Sequence, residues 1–250
     1  MDTKEEAKKV RLDRTLPERG LVSSRARGEV LITEGNVAVD GVVVKNKSFL
    51  VGKENMVTLL REDIKWVSRG ALKLEHALDR WAIDPKGKII LDVGASTGGF
   101  TEVLLSRGAK KIYALDVGHG QLVAKLSTDP RVVDMEGVHI SDAKLSDFKK
   151  PIDMIVVDVS FISLEKVLPK VKELLRSGGE LILLIKPQFE VGKKHIGKGI
   201  VSDPKLHSDV AMRIEALAEE LGFCVQGVIA SQVLGGDGNK EFLLYAQFCA

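Results

Sequence analysis

The sequence predicts an α/β protein in which a small basic α+β unit precedes a larger domain built on a mostly parallel, doubly wound sheet. Three observations carry this. Strand and helix patterns alternate from residue 89 onward, a glycine-rich turn follows the first of those strands, and the first sixty residues read instead as two helices followed by short β-branched runs. Alternation of this kind implies parallel strands joined by crossover helices on both faces. A length of 250 residues suits a small and a medium domain, and 44% hydrophobic residues leave apolar surface for a core in each.

Residues 1–8 read as a polar tail. Two short helices follow at Arg11–Arg19 and Ser24–Glu34, the second with Ser23 or Ser24 as N-cap and Gly35 just past its end. Asp40-Gly41 between β-branched runs is a hairpin signal for 37–44, and Met56–Leu60 adds a strand. These elements make a first domain over 9–61. The charged stretch Arg61-Glu62-Asp63-Ile64-Lys65 marks the junction, with 62–67 as linker and 68–250 as the second domain. There Ser68 is expected to cap a helix through Trp81, with Leu74, Ala77, Leu78 and Trp81 as its apolar stripe. Strands are predicted at Ile89–Asp92, Lys111–Asp116, Arg131–Val133, Asp153–Asp158, Glu180–Lys186, Phe223–Ile229 and Phe242–Phe248. The clearest helices between them are Leu164–Leu175 and Pro204–Leu221.

Charge is unevenly spread. From Lys8 to Arg61 there are eleven Lys/Arg against six Asp/Glu, whereas from Glu62 on there are 25 against 26. A basic head on a neutral body suits contact with phosphates, through Arg11, Arg14, Arg25 and Arg27. The first residues are too polar for the apolar part of a signal peptide, and no run approaches the roughly 18 apolar residues of a membrane span. The two cysteines, Cys224 and Cys249, have neither metal nor redox spacing. They are expected to be buried thiols in a reducing cytoplasm, with no metal site and no membrane partner.

The sharpest motif is Asp92-Val93-Gly94-Ala95-Ser96-Thr97-Gly98-Gly99-Phe100, an apolar strand running into a glycine-rich turn and then a helix. A doubly wound sheet binds nucleotide-like ligands there, because glycines let the backbone approach closely. Asp116 closes the next strand, 22 residues after Gly94, where a carboxylate can accept from ribose hydroxyls. The spacing lacks the dinucleotide G-x-G-x-x-G pattern and has the shape of an S-adenosylmethionine loop of a Rossmann-like class I methyltransferase. Gly94-Ala95-Ser96-Thr97-Gly98 also matches a hydrolase nucleophile elbow, but no acid and histidine follow at a useful spacing. Four charged residues lie at element ends: Lys73, Asp158, Lys186 and Glu241. Strand carboxyl ends line the ligand crevice, so Asp158 and Lys186 should face the donor. The stretch 187–203, with Lys193, Lys194, Lys198 and three glycines, reads as a mobile flap over RNA.

Ser68-Arg69-Gly70-Ala71-Leu72-Lys73-Leu74, Asp92-Val93-Gly94, Asp158-Val159-Ser160-Phe161, Ile185-Lys186-Pro187-Gln188-Phe189-Glu190 and Gly238-Asn239-Lys240-Glu241-Phe242 together resemble the TlyA family. Its members are rRNA 2′-O-methyltransferases with an FtsJ-like catalytic domain, often labelled hemolysins. Val10 to Asp13, Gly20 to Arg25 and Gly35 to Gly41 are similar to the RNA-binding domain first described in ribosomal protein S-four. The resemblance covers nearly the whole chain. It implies S-adenosylmethionine as donor, ribosomal RNA within ribosomal subunits as partner, a cytidine ribose as acceptor, and Lys73, Asp158, Lys186 and Glu241 as the catalytic tetrad. Residues 136–142 depart from the family, which more often has Thr-Asn followed by Arg, and Asp142 is taken as the contact on the adenine side. Base methylation fits less well, because no cysteine ends a suitable strand and Asp158-Val159-Ser160-Phe161 lacks paired prolines. A ribosome-binding assembly factor that keeps the fold without turnover stays open as an alternative. No secretion signal or lytic helix supports the hemolysin label.

Overall fold

The computed structural model describes residues 9–22, 25–60, 65–235 and 238–249. The expected N-cap at Ser23 or Ser24 and most of the junction at 61–65 lie outside them. The chain divides into two compact units, Met1–Lys65 and Trp66–Ala250.

The first unit runs β1 (Val10–Arg11), α1 (Leu12–Glu18), α2 (Arg25–Thr33), β2 (Val37–Val39), β3 (Val42–Val43), β4 (Leu50–Val51) and β5 (Val57–Leu59). Asp40 and Gly41 both take positive φ, 48° and 81°. That is a two-residue turn of the type I′ kind, which suits the twist of the strands it joins. It sets β2 against β3 with Val39 opposite Val42, and β5 pairs antiparallel on the other side of β2. β1 and β4 form a separate two-stranded ladder that sequence reasoning does not show, because two residues carry no period. Leu12, Leu16, Leu31, Ile32 and Val37 are fully buried between helices and sheet.

Inside this core lies the carboxylate of Asp13, buried and held by two arginines. Arg11 donates to it from two nitrogens at 3.0 Å, and Arg25 from two nitrogens at 3.0 and 2.7 Å. The Arg11 guanidinium holds the Asp13 carboxyl far below the usual range, at about 2. Burial of a carboxylate is tolerated because its lone pairs are filled.

The second unit runs α3 (Gly70–Arg80), β6 (Ile89–Val93), α4 (Gly99–Ser106), β7 (Lys111–Asp116), α5 (Ala124–Ser127), β8 (Val132–Glu136), β9 (Ile152–Val157), α6 (Leu164–Leu174), β10 (Leu175–Ile185), α7 (Pro187–Glu190), α8 (Pro204–Glu220), β11 (Phe223–Ala230) and β12 (Phe242–Phe248). Seven strands form one sheet in the order β11-β12-β10-β9-β6-β7-β8. Only β12 runs against its neighbours, β10 and β11. Alternate residues feed two cores. Leu91 and Val93 pack with α6 and α8, while Ile90 faces α3 and α4. From β6 the chain builds outward through β7 and β8, then returns to place β9 on the other side of β6. The carboxyl ends of β6 and β9 thus bound the crevice at the switch point.

The structure corrects several details. Arg69, not Ser68, is the N-cap of α3, and it makes no side-chain cap. β10 begins at Leu175 rather than Glu180, because Leu175 pairs with Ile152 before an irregularity carries the strand on. The stretch 187–203 is not a bare loop: it holds α7, a 3₁₀ turn at Lys193–His195 and a bridge between Gly197 and Ile200. The cysteines are exposed and joined as a disulfide, not buried thiols. The β11–β12 register, with Cys224 opposite Gln247, brings the two Cα atoms to 5.9 Å. Among the described residues no helix is long and apolar enough to cross a membrane.

Asp13→Ala is expected to destabilise the first unit by about 1–3 kcal/mol, the scale for hydrogen bonds to a charged group. The sign of the pH dependence follows from the lowered pKa. Asp13 contributes its stability above the ordinary carboxylate range near pH 4, and that stability is lost as pH falls toward 2. Calorimetry of the full chain across pH 2–7 reads both. A transition unchanged by the substitution would mean that the arginines do not stabilise the unit through Asp13.

Candidate functional site

β6 ends in a turn whose glycine is dictated by space. Gly94 has φ of 85°, and a Cβ there would lie 2.3 Å from the Asp158 carbonyl oxygen. Ser96 also takes positive φ, and Gly98, at 97°, is the N-cap residue of α4. Asp116, at the end of β7, accepts from the Ser96 N–H and the Gly118 N–H, both at 2.8 Å. It therefore ties the turn after β6 to the turn after β7. Glu136 at the end of β8 accepts from the N–H groups of Gly120, Gln121 and Leu122. Those bonds, the Gly120 one first, hold its carboxyl below the usual range.

Two cavities open around this turn. One, of about 450 Å³, is lined by Asp116, Val117, His139, Ile140, Ser160 and Phe161 among others. The second, of about 270 Å³, is lined by Ser68, Gly70, Lys73, Thr97, Gly99 and Phe100, with Ala95 at its wall. Gly94, Ser96 and Asp158 border both. Asp142 borders neither and is exposed, because the 3₁₀ turn Ile140–Asp142 directs it outward. His139 and Ile140, just before it, take that wall instead. Asp92 also borders neither. It is fully buried and accepts from the Thr101 hydroxyl on α4 at 2.6 Å, while its other oxygen has no partner. Burial pushes its carboxyl up to about 7, even against the Thr101 hydrogen bond.

The four charged residues form two ion pairs. Lys73 of α3 meets Glu241 at 2.5 Å, and both are buried. Lys186, just past β10, meets Asp158, just past β9, at 2.6 Å, and also donates to the Ser160 hydroxyl at 3.0 Å. Sequence reasoning passed over Ser160, Gln188 and Asn239, which lie inside quoted motifs but carry no charge. Gln188 approaches Glu241 at 3.5 Å, and Asn239 is almost wholly buried. Phe161 is 90% exposed at positive φ, with its ring 4.9 Å from that of Phe189. Of the residues expected to meet phosphate, Arg14 is exposed on α1 and Arg27 half-buried on α2, while Arg11 and Arg25 hold Asp13. Lys194 and Lys198 are exposed, and Lys193 lies in the 3₁₀ turn.

The FtsJ-like methyltransferase family matches residues 66–248, and the S4 domain matches residues 10–57. The 16S/23S rRNA (cytidine-2′-O)-methyltransferase TlyA of Mycobacterium tuberculosis is 42% identical over 241 residues, covering 96% of this chain and 90% of that protein. Hemolysin A of Brachyspira hyodysenteriae is 39% identical over 238 residues, covering 94% of this chain and 99% of that protein. The solved structure of a candidate hemolysin from Streptococcus thermophilus superimposes with a TM-score of 0.77 at 38% identity, covering 97% of this chain and 90% of that one.

The raised pKa of Asp92 has a measurable consequence. Between about pH 4 and 7 the unfolded chain releases this proton and the folded one keeps it, so stability falls with rising pH and levels off above 7. Asp92→Asn removes that slope. The melting temperature of the variant relative to wild type should rise by a few degrees from pH 4 to pH 8. Parallel pH profiles of the two proteins would mean that Asp92 ionises normally.

Proposed function

The chain belongs to the FtsJ-like methyltransferase family, and we propose that it moves a methyl group from S-adenosylmethionine to a ribose 2′-oxygen of ribosomal RNA. The observation that carries this reading is the pairing of Lys186 with Asp158 and of Lys73 with Glu241 about a crevice at the switch point of the sheet. The residues present fit the donor. Gly94 leaves room for a close backbone approach, Asp116 offers a carboxylate in the larger cavity, and Asp158 borders both cavities. Gly94 to Phe100, Asp116, His139 and Ile140 would hold it. When bound, the donor supplies a methyl activated on a sulfonium.

The acceptor side is the work of this chain's own charges. An ammonium has three N–H donors. Lys186 pairs with Asp158 and donates to Ser160, leaving an N–H for the ribose oxygen, whose growing negative charge it stabilises as the hydroxyl proton leaves to solvent. Asp158 fixes the lysine and offers negative charge where both cavities meet. The buried Lys73–Glu241 pair holds the wall against which the hydroxyl is positioned, and positioning supplies most of the rate in such a scheme. Phe161 presents an exposed ring at the mouth, where an unstacked base can lie. Arg14 and Arg27, the outward parts of Arg11 and Arg25, and Lys193, Lys194 and Lys198 would meet phosphates. With a ribosomal substrate this work would be done in the cytoplasm.

Ribose is favoured over base because neither Cys224 on β11 nor Cys249 beyond β12 lines either cavity, and Asp158-Val159-Ser160-Phe161 lacks paired prolines. An RNA substrate lacking the 2′-hydroxyl at the target nucleotide should accept no methyl. Lys186→Ala should lower turnover by about a hundredfold or more, with donor affinity by calorimetry little changed. Methyl incorporation into the deoxy substrate would overturn the ribose assignment. Donor binding with no transfer to rRNA by the wild type would instead indicate an assembly factor without turnover.

A further inference from the structure

Asn239 lies two residues before Glu241, is 1% exposed, and uses its amide on another segment altogether. Its oxygen accepts from the Val201 N–H at 3.0 Å, and its nitrogen donates to the Gly199 carbonyl at 2.9 Å. At the other end of the same segment, Gln188 donates to the Glu241 carboxylate at 3.5 Å. The stretch between Lys186 and α8 is therefore fastened at both roots to the turn that carries Glu241. The far root is further held by His207, whose ring nitrogen meets the Val201 carbonyl at 2.7 Å. Between the fastenings Lys194 and Lys198 project into solvent. The turn is equally confined: Gly235 donates to the Asn239 carbonyl, and a Cβ on Gly235 would lie 2.4 Å from a Glu241 carboxylate oxygen.

We propose that Asn239 is a positioning residue, a latch that keeps the basic segment in register with the Lys73–Glu241 pair. Phosphates gripped by Lys194 and Lys198 are then held at a fixed place relative to the site of transfer. The latch needs both halves of an amide, an acceptor toward Val201 and a donor toward Gly199. Aspartate has the same shape but would set an oxygen against the Gly199 carbonyl. The functional half of this inference rests on the methyltransferase reading above.

The test uses Asn239→Asp and the milder Asn239→Ser in the full chain. Trypsin should cut after Lys194 and Lys198 about tenfold faster in both variants, since local opening sets that rate. In the wild-type background, replacing Lys194 and Lys198 by alanine should raise KM for an rRNA fragment about tenfold and flatten its salt dependence. In the Asn239→Asp background the same replacement should change KM by less than about twofold, because the lysines are no longer in register. Donor affinity should stay within about twofold throughout. Unchanged cleavage overturns the latch, and additive effects overturn the coupling even where stability falls. If the wild type methylates no rRNA, the functional reading fails, and cleavage alone decides the latch.

Discussion

Among the described glycines of the catalytic unit, Gly94 makes the tightest approach to another stretch of backbone, at Asp158. No side chain fits between them, and a Cβ on Gly94 would overlap the Asp158 carbonyl. The contact is stitched on every side. Asp158 N–H donates to the Val93 carbonyl, while the Gly94 and Ala95 N–H groups donate to that of Leu115. The ends of β6, β7 and β9 are thereby joined into one ledge. Asp158 stands where both cavities meet, and Lys186 is brought to it from the neighbouring strand end. Loosening this contact would move the glycine turn, the acid and the lysine together.

Much of this ledge was legible in the sequence because its parts are punctuated. Apolar runs ending in Gly94, Asp116, Asp158 and Lys186 give strand ends directly, and the parallel pattern puts those ends on one side. Less legible was anything set by pairing across long separations. The antiparallel β11–β12 register joined Cys224 to Cys249, which spacing alone reads as unrelated thiols. The 3₁₀ turn that directs Asp142 outward is a matter of a few dihedrals, and it shifts the cavity wall to His139 and Ile140. Uncharged polar residues were passed over for a different reason. Asn239 and Gln188 act through backbone and carboxylate partners that no local pattern names.

Charge counting has the same limit in the first unit. Arg11 and Arg25 belong to its basic excess, yet both have their guanidinium groups on the buried Asp13. A count cannot separate a cation that faces solvent from one that completes a core. The two roles are compatible, because both side chains remain partly exposed around the contact. A phosphate arriving there would meet arginines already held in place, at less cost in side-chain freedom than for a loose lysine.

The two ion pairs of the catalytic unit differ in what their loss would mean. Lys73 and Glu241 are nearly sealed from water, their side chains 9% and 2% exposed. Breaking such a pair leaves an uncompensated charge and costs about 3–5 kcal/mol, so substitution of either residue disturbs fold and chemistry together. A buried pair contributes little net stability compared with apolar packing, so its place beside the crevice is better explained by positioning than by folding. Lys186 and Asp158 are more open, at 12% and 20%, and Asp158 borders both cavities where reactants must meet. Water can replace either partner there, which makes Lys186 the position where a chemical effect separates from a structural one. The sealed pair supplies a fixed wall and the open pair an accessible group, and a ribose hydroxyl that must be both held and deprotonated needs one of each.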